Sequence, residues 1–305
     1  MGHHHGHSHS GDNGLSLAFW LNLLFSVIEV AGGVLTNSTA IVADAFHDFM
    51  DALAIGTAVL LEKLSGKKRT TGFSYGYRRF SLLSAIGMSL FLLIGAVVMC
   101  ISAIGSFFDP EPVNSTGMLG LAVLGIAVNG FAFLRIKNSG THSHHHGHTH
   151  PEDHNSKAIM LHLLEDLLGW LAVLIGAGIM YFTGWYWIDG ALTLAISVFI
   201  GFNAVKNLVG TMGILLQAVP EQVNLAQLQH ELSELEGVEN VHDVHVWTLD
   251  GSYHIASLHA VLNSMEKSDE AKILSAINSL LEKNHIQHPT IQLESASAPC
   301  NLVDC

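Results

Sequence analysis

Charge is scarce in this 305-residue chain: Asp, Glu, Lys and Arg make up 13% of it, about half the share found in soluble domains. Hydrophobic residues make up 49% and the mean hydropathy is +0.39, so the composition is that of a membrane protein with a soluble part. Positive charge is scarcer still. Thirteen Lys and Arg face 26 Asp and Glu, a net −13, and no basic stripe is present, which excludes nucleic acid as a partner. Of the three cysteines, Cys100 lies in an apolar run and Cys300 and Cys305 stand at the C-terminal end, so no disulfide framework is expected. No basic n-region with a small-residue cleavage site precedes the first apolar run, which is therefore expected to stay as a span. Phosphate-cradling glycine loops and nucleophile elbows are also missing. The segment FSYGYRRF follows basic residues but has no Lys-Ser/Thr after a glycine loop. ATP-driven transport and enzymatic chemistry are both unsupported.

What the chain does have is six apolar segments near the roughly 20 residues that cross a bilayer. They fall at 15–35, 39–62, 81–107, 114–136, 157–182 and 187–208. Lys63, Lys67, Lys68, Arg69, Arg78 and Arg79 surround the second connection, Arg135, Lys137 and Lys157 flank the fourth, and Lys206 lies near the end of the sixth span. The first, third and fifth connections carry no Lys or Arg. The excess of positive charge on cytoplasmic loops then places both termini in the cytoplasm. Trp185, Tyr186 and Trp187 suit an outer aromatic belt. Asn37-Ser38-Thr39 and Asn114-Ser115-Thr116 match glycosylation acceptors on outer loops, a match that matters only in a secretory pathway.

From about residue 218 the character changes. Gln222–Glu236 reads as an amphipathic helix with Gly237 as its C-cap. VENVHDVHVWTL and SYHIASLHAVL flank Asp250-Gly251, a hairpin signal. Ser268–Lys283 reads as a second helix and HPTIQLES as a last strand. The order αββαβ fits a small ferredoxin-like α+β domain. The expected organisation is a His-rich cytoplasmic tail (1–14), a six-span transmembrane domain (15–217) with a His-rich loop (138–156), a cytoplasmic domain (218–295) and a Cys-containing tail (296–305).

Within the apolar spans one pattern occurs twice: His47-x-x-x-Asp51 and His162-x-x-x-Asp166. A spacing of four puts imidazole and carboxylate on one helical face. Ionisable groups at membrane depth cost roughly 2.5–3.5 kcal/mol each on insertion scales, and they usually mark a pathway or a site. Two such pairs offer two nitrogens and two oxygens, the donor number and type of a tetrahedral Zn²⁺ site; Co²⁺ and Cd²⁺ accept the same ligand types. Asp44 shares the face of His47 and is the candidate for orienting it. Asp48 and Glu165 are turned aside by a quarter to a third of a turn. Glu29 is either a proton-handling or a packing residue, and Asn22 and Asn129 are expected to bond between helices.

Outside the spans, THSHHHGHTHPEDH is low in complexity and is expected to be disordered and to collect metal ions near an entry. MGHHHGHSHS, interrupted by Gly and Ser, is read the same way. In the soluble part His242 and His259 can meet across paired strands with Glu294 to hold a regulatory ion, and alternation puts His245 on the other face from His242. Cys300 and Cys305, spaced C-x₄-C, can donate thiolates, though two cysteines alone do not define a site.

IEVAGGVLTNSTAIVADAFHDFMD, FSYGYRRFSLL, LHLLEDLLGW and GVENVHDVHVWTLDGSYHIASLHAVL together resemble the cation diffusion facilitator family. The resemblance spans nearly the whole chain apart from its ends and the His-rich loop. It implies six spans, a cytoplasmic ferredoxin-like domain, a homodimer, and export of divalent metal from the cytoplasm in exchange for protons. Members with His and Asp in both spans look zinc-selective, which supports His47, Asp51, His162 and Asp166 as transport ligands. Two departures stand out. KLSGKKRTTGFSYGYRRF lacks the Asp and His ligands that some members carry there, so no metal is expected in that loop. Gln292 replaces a His among the four positions matching His242, His259, Gln292 and Glu294, so one ion at His242, His259 and Glu294 is expected instead of a binuclear cluster.

The reading is a Zn²⁺/H⁺ antiporter working by alternating access in a lipid bilayer, most naturally a bacterial inner membrane. A broader Co²⁺/Cd²⁺/Zn²⁺ exporter is the alternative. A metal-gated channel and a membrane-anchored metal sensor are the competing classes.

Overall fold

The structure, a computed structural model, describes residues 10–65, 67, 69–139, 152–263 and 267–295. Contacts divide them into two units. The first takes in the chain up to Val59 and from Met88 to Val205; the second takes in Leu60–Gly87 and the chain from Lys206 onward.

Six long helices dominate: α1 (Ser10–Thr36), α2 (Thr39–Ser65), α3 (Phe80–Phe108), α4 (Ser115–Ser139), α5 (Glu152–Thr183) and α6 (Trp187–Leu215). The shortest has 25 residues, about 37 Å at the helical rise, against a hydrocarbon core of about 30 Å. Four of them, α3 to α6, are long and apolar enough to cross a membrane on composition alone. For α1 the described apolar stretch is Asn22–Thr36, and α2 carries Asp44, Asp48 and Asp51 in its middle. These helices turn much of their large apolar surface outward: on α3 alone, Leu83, Phe91, Ile94, Val98 and Ile101 are all more than half exposed. In water that surface would drive aggregation; in lipid it is the natural outer face.

Helix association in lipid depends on close packing, because hydrocarbon competes with no hydrophobic penalty. The core here gathers Phe25, Ala40, Ile41, Met118, Ala122, Trp170, Val173 and Ala177. Trp170 of α5, 1% exposed, lies against Gly125 of α4, where a Cβ would collide with the indole ring. Phe25 meets the same indole edge-on at 6.0 Å. The turn from α1 into α2 is two residues long, Asn37 and Ser38. Asn37 takes φ 57, a left-handed value that Asn tolerates, and the Ser38 N–H returns to the Gly33 carbonyl at 2.9 Å. That bond closes α1 in the manner of a left-handed cap.

The second unit carries α7 (Leu225–Ser233), β1 (Val238–Thr248), β2 (His254–Leu262), α8 (Lys267–Lys283) and β3 (Ile286–Ser295), the αββαβ order expected. Asn224 caps α7 by accepting from the Gln227 N–H at 3.2 Å. Gly237 at φ 89 ends the following turn and needs glycine's freedom. The described sheet has three strands in the order β1-β2-β3, with β1/β2 antiparallel and β2/β3 parallel. One face packs Ala256, Leu258 and Ala260 against Leu228, Leu232, Ile273, Ile277 and Leu281. The hairpin turn is built by Asp250, whose Oδ1 accepts from Ser252 N–H, Ser252 Oγ and Tyr253 N–H at 2.8–3.0 Å. Its Oδ2 accepts from Arg78 Nη1 at 3.0 Å, and the same guanidinium lies 4.5 Å above the Tyr253 ring. Partial burial pushes the Asp250 carboxyl up, but these bonds outweigh it and hold its pKa below the ordinary value.

The glycines of α4 give a direct test of the packing. Gly125→Ala forces a Cβ into the Trp170 ring and should cost about 1–3 kcal/mol as overpacking. Gly120→Ala, one and a half turns away with nothing within 4 Å of an added Cβ, should be neutral or stabilising. Thermal unfolding of the two variants in detergent should separate them clearly; equal midpoints would remove Trp170–Gly125 as the α4–α5 contact that matters.

Candidate metal centres

The first site is built on α2. His47 Nε2 and Asp51 Oδ2 stand 3.5 Å apart, each side chain about one-fifth exposed, as helical spacing requires. Asp44, one turn earlier, is 9% exposed and has His47, Asp166 and Asp51 as its charged neighbours. Helix α5 passes close to it: a Cβ at Gly169 would lie 3.9 Å from Asp44 Oδ1, an ordinary van der Waals contact. The α2 and α5 acids therefore lie side by side. Asp166 is half-buried. His162 sits on α5 one turn before it, and its side chain lies outside the described residues.

The acids flanking this pair behave differently from what helical angle alone suggests. Asp48, expected to be turned aside, is 9% exposed and buried toward α1, where Glu29 is 1% exposed beside Asp48, Asp44 and Asp166. Glu165 is exposed. Asn129 is buried, but its Nδ2 donates no hydrogen bond among the described residues, so the donor half of the expected interhelical bond is not formed. The result is an apolar bundle with Glu29, Asp44, Asp48, Asp51 and Asp166 gathered near one imidazole. Such a donor set fits a divalent cation that accepts nitrogen and oxygen.

The second site lies on the sheet face opposite the soluble core. His242 and His259 are cross-strand partners, their rings 5.1 Å apart at 77°. Glu294 of β3 bridges them: Oε2 is 3.1 Å from His242 Nε2, and Oε1 is 2.9 Å from His259 Nδ1. One ligand atom from each residue falls within 4.8 Å of the others, a spacing that one ion would satisfy. Gln292, at the position where the resemblance expects a His, donates from Nε2 to Glu294 Oε1 at 2.8 Å. It orients the carboxylate instead of adding a nitrogen ligand. Cys300 and Cys305 lie outside the described residues, as do residues 1–9 and 140–151 of the His-rich segments.

Two family models match the chain: the cation efflux transmembrane domain over residues 15–216 and the cation efflux protein cytoplasmic domain over 220–296. The chain belongs to the cation efflux family, the cation diffusion facilitators. It is similar to the metal cation efflux system protein CzcD of Cupriavidus metallidurans, 33% identical over 311 aligned positions covering all of this chain and 93% of that protein. Zinc transporter ZitB of Escherichia coli K12 is 32% identical, covering all of this chain and 96% of its own length. A cadmium, cobalt and zinc/H⁺-K⁺ antiporter of Bacillus subtilis is 29% identical over 97% of this chain and 92% of its own. A multi-pass membrane transporter follows from the family, and not an enzyme.

Two features of this cation efflux transporter escape a reading by pattern. Asp189, at the start of α6, is 3% exposed. Its Oδ1 accepts from Ser38 Oγ at 2.6 Å, and its Oδ2 accepts from Thr39 N–H at 2.7 Å and Thr39 Oγ1 at 2.8 Å. Asn37-Ser38-Thr39 reads as a glycosylation acceptor, yet in the fold Ser38 and Thr39 are where α2 begins and is held. The second feature is the bulge in β1. His242 pairs with His259 and His245 with Ser257, three steps on one strand against two on the other. His245 therefore returns to the same face as His242, against the alternation expected, because the extra residue resets the pleat.

His254 has a purely structural place. It is 5% exposed, with its Nδ1 buried and unpartnered among the described residues. Burial and the neighbouring His285 hold its pKa below the ordinary value, against a smaller opposing pull from Asp250. The unfolded chain then takes up this proton first as pH falls below about 6.5, so the folded state loses stability on the acid side. His254→Gln should flatten that loss. Unfolding midpoints compared between pH 7.5 and 5.5 would show it; an unchanged difference between the two pH values would rule it out.

Proposed function

We propose that this transporter exports Zn²⁺ from the cytoplasm in exchange for protons. His47, Asp51, His162 and Asp166 are the transport ligands, and Asp44 orients His47 from the same helix. The observation that carries this reading is the approach of α5 to α2 at Gly169, which sets the acids of both helices beside the His47–Asp51 pair. Exchange follows from ligand chemistry. Imidazole must be neutral and carboxylate ionised to coordinate, so protons take the place of the departing ion. Rocking of the bundle exposes the site to each side in turn, as in other secondary transporters. The His-rich segments concentrate the ion near its entry. The soluble domain holds one regulatory Zn²⁺ at His242, His259 and Glu294 and joins two copies of the chain, in keeping with its match to the family's cytoplasmic domain. The host is a bacterial inner membrane with both termini in the cytoplasm.

A broader exporter of Co²⁺, Cd²⁺ and Zn²⁺ is the second reading, favoured by the cadmium, cobalt and zinc named for the Bacillus subtilis relative; the ZitB relative is named for zinc. Competition among Zn²⁺, Cd²⁺, Co²⁺ and Mn²⁺ for uptake into proteoliposomes separates the two.

In proteoliposomes carrying a zinc dye and a pH gradient, Asp51→Ala and His162→Ala should each abolish proton-coupled flux. Undiminished flux in both variants would sink the ligand assignment. Unitary currents would mean a zinc-gated channel, and total loss of metal binding on deleting residues 218–305 would mean a sensor.

A further inference from the structure

The residue after His242 has no role in the ligand set, yet the backbone is bent to present it. Asp243 takes φ 51, a left-handed value that favours glycine or asparagine. It sits in the bulge between the His242–His259 and His245–Ser257 pairs. There its carboxylate is 8% exposed, with Oδ1 2.8 Å from His245 Nε2 and Oδ2 3.8 Å from His259 Nε2. The other ring nitrogen of His259, Nδ1, lies 2.9 Å from Glu294 Oε1. One imidazole is thus placed between two carboxylates, one on the ion side and one behind.

A neutral imidazole has one N–H and one lone pair. An ion shared with Glu294 needs the lone pair on Nδ1, so the proton must reside on Nε2, where Asp243 is the acceptor. At 3.8 Å the pair is in ion-pair range, and a shift of under about 1 Å makes it a hydrogen bond. Resting on the reading that His242, His259 and Glu294 hold an ion, we propose that Asp243 is a positioning residue that fixes His259 in its Nε2–H form and so strengthens Zn²⁺ binding by the soluble domain. A carboxylate behind a ligating histidine raises its basicity and sets its angle, and its loss typically lowers metal affinity 10–100-fold. His245 shares the same carboxylate but is 44% exposed, so water can serve it when His259 draws on Asp243.

The backbone makes the test selective. Glycine suits φ 51 better than aspartate does, so Asp243→Gly should leave the metal-free unfolding midpoint unchanged or raised while weakening Zn²⁺ binding about 10–100-fold. Asp243→Asn keeps an acceptor oxygen and should lose less. Affinity is read by competition with a chromophoric chelator on the full chain in detergent, in an Asp51→Ala background that silences the membrane site; the His-rich segments are the same in every variant. Parent-like affinity in Asp243→Gly would overturn the proposal, as would an affinity loss matched by a fall in the metal-free midpoint. If His242→Ala and Glu294→Ala also bind as the parent does, the ion site itself is absent and the underlying reading falls too. If those two lose the ion and the Asp243 variants do not, only the positioning role is lost.

Discussion

Carboxylates in an apolar bundle are the constraint to which the membrane part answers. Glu29, Asp44 and Asp48 are each nine-tenths or more buried, with Asp51 and Asp166 beside them, and each charge would cost roughly 2.5–3.5 kcal/mol at membrane depth. Like charges so close cannot all stay ionised without a counter-charge. Either protons or a cation must neutralise them, and a site able to use either in turn has the chemical basis of an exchanger. The remaining packing supports that requirement. α5 passes within contact distance of Asp44 at Gly169, and Gly125 accepts Trp170 so that α4 and α5 pack closely.

How much of this was visible in the chain depended on which physical signal carried it. The six helices followed from apolar runs; α3 at Phe80–Phe108 lies within a residue of the expected 81–107, whereas α6 runs to Leu215, past the expected 208, because helical hydrogen bonding continues beyond the apolar run. α5 began earlier than expected, at Glu152, because its first turns are polar and carry no hydropathy signal. His47 and Asp51 were legible because i,i+4 spacing is local. The burial of Asp48 toward Glu29 was not, since it depends on where α1 packs, and a single helix's angles do not contain that information.

The soluble domain shows the same division. The meeting of His242, His259 and Glu294 followed from strand pairing, and the hairpin at Asp250-Gly251 set the register. His245 was misplaced because alternation assumes an unbroken pleat, whereas β1 inserts one residue between its pairs with Ser257 and His259. A left-handed aspartate gives little warning in sequence: Asp is ordinary in strand-edge and turn positions alike. Gln292 was read from the resemblance as a departure from a histidine position; its hydrogen bond to Glu294 belongs to the three-dimensional pairing of β3.

Asp189 ties these threads to the membrane site. A helix N-terminus leaves backbone N–H groups unsatisfied and carries a partial positive charge, so a carboxylate there is favourable. Asp189 lies in the first turn of α6 and also accepts the Thr39 N–H that opens α2, so one buried carboxylate meets the positive ends of two helices. Thr193, one turn further along α6, extends the contact through Thr39 Oγ1 at 2.7 Å. Thr39 is eight residues before His47, about 12 Å along the axis. Holding the start of α2 against α6 therefore limits how far His47 and Asp51 can slide or rotate without breaking several buried hydrogen bonds, each costly to leave unmade. In the exchange mechanism proposed above, a motion that exposes His47 and Asp51 to each side in turn must move α2 and α6 together at this end, with their relative displacement falling elsewhere in the bundle.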